Sequence, residues 1–122
     1  ATKSRLEAAA AMRDGAEAKA QLEAQQTATS VRTALARLEI AERGVRQSID
    51  AHRIVARKYS GGLASVVELL DAAASETQTR LGHAGARYAL LVSTAERRKA
   101  LGLDPATLRS LDSAPIVALS NR

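Results

Sequence analysis

Glu68 and Asp71 are two carboxylates three residues apart, and Tyr59, His52 and His83 are the other side chains that could move a proton or hold an ion. A spacing of three puts both carboxylates on one face of a helix. The local role is plain: Ser65-Val66-Val67-Glu68 has the form of a capping box, and Asp71 suits a helix N-terminus. A His ligand needs companions. His52 has none nearby, and His83 lies far along a second helix, facing elsewhere by heptad count, so no metal site is expected. Tyr59 closes an apolar heptad series; its hydroxyl is either wet or bonded across a closed tip. Gly61-Gly62 is not followed by Lys-Ser or Lys-Thr, so it is not a phosphate loop. No nucleophile, base and orienting group assemble from this set. The expectation is a protein that is not an enzyme and takes no cofactor.

The elements that carry these residues follow from composition. The chain has 122 residues, no Cys, no Phe, no Trp and only two Tyr. Ala makes up roughly a fifth of it, about double an average share. Ala buries little area but is the best helix former and lets helices approach closely. A thick core is therefore excluded and thin helix contacts are expected. The lack of Cys excludes a disulfide framework, a thiolate metal site and a Cys nucleophile. No run of about 18 apolar residues exists to span a membrane as a helix. The net charge is +5, with 11 basic and 7 acidic groups in residues 1–61 and 7 and 6 in residues 62–122. So mild and interleaved an excess, with almost no stacking aromatics, argues against nucleic acid as a partner.

Pro is absent before Pro105, and nothing forces a break from Thr2 to Lys58. The sequence predicts one helix over about 2–59, a tip over about 60–65 and a second helix over about 66–101, together a hairpin over 1–103. A short helix from Asp104-Pro105 to about Leu111 and a tail complete 104–122. Gly15 and Gly44 weaken the first helix without ending it. Gly61 is expected in the left-handed position that stops it. Gly102 stops the second helix after Arg97, Arg98 and Lys99, whose charges suit the helix dipole. Val31, Leu38, Val45, His52 and Tyr59 recur every seven residues, with Ala34, Ala41, Ser48 and Val55 between them, as in a coiled-coil seam. Leu35, Ile49 and Ala56 form a stripe beside it. On the second helix the matching seam is expected at Val67, Ala74, Leu81, Tyr88 and Ala95, with Leu70, Thr77, Ala84 and Leu91. Gly82 and Gly85 are expected to allow close helix approach. The fold class is all-α: a long antiparallel, coiled-coil-like hairpin with unequal arms, a short C-terminal helix and no β-barrel in this chain.

Lys58-Tyr59-Ser60-Gly61-Gly62-Leu63-Ala64-Ser65-Val66-Val67-Glu68-Leu69-Leu70-Asp71-Ala72 resembles the hairpin tip of TolC-type outer-membrane efflux proteins. The family pattern is a Tyr, a Gly three residues on, then an apolar run with an acidic pair and a closing Asp-Ala. Ala86-Arg87-Tyr88-Ala89-Leu90-Leu91 and Ala100-Leu101-Gly102 resemble the family's returning helix and its Leu-Gly end. Arg5-Leu6-Glu7-Ala8-Ala9 fits the start of the first helix. The resemblance covers about residues 3–104.

It implies a trimeric channel with an outer-membrane barrel and a periplasmic tunnel of helices, of which this chain is the C-terminal periplasmic hairpin. The tip residues Tyr59, Gly61, Gly62, Leu63, Ala64 and Ser65 would face a periplasmic adaptor protein of an efflux or type I secretion assembly, with an inner-membrane transporter as an indirect partner. Glu68 and Asp71 match the acidic pair that rings the entrance, where stacked like charges favour cations. Ala64 departs from relatives that carry a basic residue there to tie the entrance shut. The alternative is a soluble coiled-coil adaptor or scaffold hairpin that binds partner helices. In either case two apolar stripes on a helix with one partner in the chain predict self-association of the isolated chain, most simply a two-fold dimer.

Overall fold

The computed structural model describes residues 1–102. The expected short helix at 104–111 and the tail lie outside the described residues. Two α-helices account for almost all of the rest: α1, Thr2–Ser60, and α2, Val66–Ala100. Among the described residues there is no strand. No Pro interrupts either helix, and each ends at a glycine in the left-handed region, Gly62 or Gly102. Gly15 and Gly44 lie inside α1 without interrupting it.

Among the described residues, 30–93 form one compact unit, and 1–29 with 94–102 belong to another. In the first unit α1 and α2 pair as an antiparallel hairpin. Its α1 side bears out the heptads: Val31, Leu38, Ala41, Val45, His52 and Val55 are half-buried, and Ala34 and Ser48 are buried. They are the only buried residues among those described, with Ala34 6% exposed and Ser48 8%. The core is as thin as the alanine content implies, since a methyl group brings little apolar area out of water. Ile49 and Ala56 of the adjoining stripe are half-buried, while Leu35 and Tyr59 are exposed.

The α2 side differs from expectation. Val67, Leu70, Ala74, Leu81, Ala84, Tyr88 and Leu91 are exposed, not seamed against α1. The half-buried positions include Leu69, Ala72, Glu76, Thr79, His83, Ala86, Leu90 and Ser93. They follow the same heptad spacing, shifted to roughly the opposite side of the helix. The physical reason lies across the seam. Ser48 and His52 on α1 need polar partners, and this face of α2 supplies them. The expected close approach at Gly82 and Gly85 is also absent. A Cβ at either position would meet nothing within 4 Å. Both line an open groove of about 760 Å³ whose walls include Ala34, Ala41, Gly44 and Ala86.

In the other unit, residues 1–23 are exposed throughout, and Ala24, Thr27 and Ala28 are half-buried. Thr27 and Thr29 return their hydroxyl hydrogens to backbone carbonyls one turn back. Arg97, Arg98 and Lys99 fill the last turn of α2. Gly102, at φ 72°, ends it with its N–H donating to the Lys99 carbonyl, as expected of a left-handed stop.

Candidate functional site

The tip is built from two opposed caps. At the end of α1 the Leu63 N–H donates to the Lys58 carbonyl at 2.8 Å and the Gly62 N–H to the Tyr59 carbonyl at 3.1 Å. These are the two bonds of a Schellman motif, which place Gly62 at the left-handed position. Its φ is 75°. The expectation for Gly61 is thereby corrected by one residue: Gly61 still bonds back to the Arg57 carbonyl as the helix leaves off. Such motifs usually fold the following apolar residue back onto the helix. Here Leu63 is 82% exposed, so an apolar side chain stands at the apex with its surface in water.

α2 starts with the expected capping box. The Ser65 N–H donates to Glu68 Oε2 at 2.7 Å, and the Glu68 N–H donates to Ser65 Oγ at 3.2 Å. Ala64 and Leu69, at the positions of a hydrophobic staple, are both half-buried. Glu68 is exposed and spends one oxygen on this cap. Asp71, a turn further on, is exposed, and no described hydrogen bond or ion pair engages its carboxylate. Tyr59 is 45% exposed, and no described hydrogen bond carries its hydroxyl across the tip. The tip thus gathers Tyr59, Gly61, Gly62, Leu63, Ala64, Ser65 and Glu68 into one short apex, with Asp71 beside it.

Behind the tip, three polar rungs cross the seam. Ser48 Oγ and Thr79 Oγ1 are 2.6 Å apart. His52 Nδ1 is 2.6 Å from Glu76 Oε2, while Arg80 donates to Glu76 Oε1 from Nε at 2.9 Å and from a terminal nitrogen at 2.8 Å. His83 Nε2 lies 3.8 Å from Glu42 Oε1. His83 therefore faces the seam, contrary to the heptad count, because the seam face of α2 is not the apolar one. The hydrogen bond from His52, then Arg80, holds the Glu76 carboxyl below the usual carboxylate range. An ionised Glu76 accepts only, so His52 carries its proton on Nδ1. Among the described residues no buried side-chain nitrogen or oxygen is left unpaired.

Glu76 is the residue that sequence reasoning missed. Its signal was present: it precedes Arg80 by four, the favoured order for a helical ion pair, and it stands 24 residues from His52 across a five-residue connection. Among the described residues no three His, Cys, Asp or Glu side chains cluster as a metal site, and no helix is long and apolar enough to cross a membrane.

No protein-family model matches the chain. No curated protein is significantly similar to it in sequence. No solved structure is significantly similar to it.

Proposed function

We propose that the chain is the periplasmic helical hairpin of a TolC-type outer-membrane channel, a component of tripartite efflux or type I secretion assemblies. On this proposal it contributes tunnel wall along α1 and α2 and an entrance at the tip, and transport is passive conduction through the assembled tunnel. The observation that carries it is the tip itself: a Schellman stop at Gly62, an exposed Leu63 and a Ser65–Glu68 capping box, followed by the exposed Asp71. This apex coincides with the stretch whose sequence resembles the family's entrance.

The roles follow from placement. Leu63 and its neighbours are the surface for a periplasmic adaptor, because an apolar side chain 82% exposed at an apex is an anchor awaiting a pocket. Glu68 and Asp71 would form stacked acidic rings when subunits close around an axis, biasing the entrance toward cations. The outward apolar stripe of α2 supports the same proposal, since a tunnel wall needs each helix to meet neighbours on two sides. Trimerisation would then take place in the full-length parent, at the periplasmic face of the outer membrane.

The reading frame around these residues tests the proposal most directly. A secretion signal and two upstream segments of alternating strand pattern are expected. Their absence would favour instead a soluble coiled-coil scaffold, for which the same exposed stripe would be the partner surface. Cysteine placed at Leu63 should then cross-link to an adaptor in cells that carry the full assembly.

A further inference from the structure

α2 carries two competing faces, and the weaker one meets α1. The outward face holds Val67, Leu70, Leu81, Tyr88 and Leu91, each 61–70% exposed. The inward face holds Glu76, Thr79, His83 and Ser93 among its half-buried residues. Apolar burial alone would select the outward face, at about 25 cal/mol per Å² removed from water. The choice is reversed by the rungs: Ser48–Thr79 and His52–Glu76–Arg80 are hydrogen-bonded, and Glu42 stands 3.8 Å from His83.

We propose that these rungs are a proton-sensitive selector of which face of α2 packs on α1. The charged groups that face one another in the seam are Glu42 and His52 from α1 and Glu76, Arg80 and His83 from α2. Arg37, on the groove wall, and Arg87, exposed on α2, lie to its sides. The ion pairs Glu39–Arg43 and Asp50–Arg53 lie within α1 on exposed positions and leave the seam untouched. While Glu76 is ionised, it accepts from both His52 and Arg80. Once Glu76 takes up a proton, its carboxyl no longer offers an anion to either partner. Loss of this shared acceptor then removes the advantage of the polar face. α2 turns about its axis, and the Leu81–Tyr88 face packs in its place. The lowered pKa of Glu76 puts this change below the ordinary carboxylate range.

Tyr88 reports the outcome, because it is one of only two Tyr and there is no Trp. With Tyr59→Phe as background, acrylamide quenching of Tyr88 fluorescence is measured between about pH 7 and about pH 2.5, alongside circular dichroism and sedimentation. At concentrations low enough that sedimentation shows a monomer at both pH values, the expected result is severalfold weaker quenching at acid pH with helicity kept. Glu76→Lys, which places a cation beside His52 and Arg80, should give the same protection at neutral pH. Unchanged quenching in both the acid and the E76K samples overturns the proposal. So does protection that appears only with association, or acid loss of helicity together with an accessible Tyr88 in E76K.

Discussion

His52 and Glu76 meet across the hairpin with 2.6 Å between Nδ1 and Oε2, and the same carboxylate binds Arg80 one turn along its own helix. One acid thus serves two bases. The Glu76 side chain is 18% exposed, so solvent only partly weakens the contact.

The stability contributed by Glu76 should depend on pH with a definite sign. Its folded-state pKa is lowered, by His52 first and Arg80 second. A lowered carboxyl stabilises the fold above its unfolded pKa and loses that contribution as pH falls through the folded value. The gap in melting temperature between the natural chain and Glu76→Gln should therefore narrow as pH falls from about 5.5 through the acid range. Melts followed by circular dichroism at several pH values check this.

The two tip glycines should differ sharply. Gly62 at φ 75° is in the left-handed region, so Gly62→Ala should destabilise by about 1 kcal/mol or more. Gly61 has no such φ, and a Cβ there would sit 3.7 Å from the Arg57 and Lys58 carbonyl oxygens, an ordinary contact. Gly61→Ala should be neutral or mildly stabilising. Urea unfolding of both variants measures the contrast.

Ser65→Ala should cost about 1 kcal/mol, the usual worth of an N-cap side chain. It leaves the Glu68 N–H without its partner, while the Ser65–Glu68 contact through the backbone N–H persists. Glu68→Ala removes the complementary half. The double variant should cost less than the two single losses together, a non-additivity that a double-mutant cycle reads directly.

Gly82→Ala and Gly85→Ala should stabilise the hairpin. Each Cβ would enter open space, and Ala gains about 1 kcal/mol over Gly inside a helix. A rise in melting temperature from each, and a larger rise from the pair, is the expected result.

Leu81→Ser should leave the unfolding of the monomer nearly unchanged, within about 0.5 kcal/mol, because the side chain is 68% exposed. It should, however, weaken self-association of the chain as followed by sedimentation over a concentration series. Val45→Ala should do the reverse, since Val45 is half-buried in the seam.

Much of this architecture is written locally. The α1 seam from Val31 to Val55 could be read because its heptads combine apolar residues with no competing face of equal strength. The cap at Ser65 and Glu68 and the stop at Gly102 could be read because each depends on a few adjacent residues. The α2 seam could not. Periodicity finds the most apolar face of a helix, and on α2 that face, Val67 to Leu91, is not the one that meets α1. The pairing is decided by contacts 24 to 41 residues apart, His52 with Glu76 and Glu42 with His83, which no window on one helix contains. The shift from Gly61 to Gly62 has a smaller cause: with two adjacent glycines either can take the left-handed turn, and the last residue of α1 decides.

The near-absence of buried residues, with only Ala34 and Ser48 below a tenth exposed among those described, has a calorimetric consequence. The heat capacity of unfolding grows with the apolar surface newly hydrated. A hairpin that hides so little should have a heat-capacity increment per residue well below the common 12–15 cal/mol/K, roughly speaking. Its free-energy curve is then shallow, with little loss of stability in the cold and a broad endotherm on heating. Residues 1–23 of α1, exposed throughout, melt first, and the rungs around His52 and Glu76 melt last.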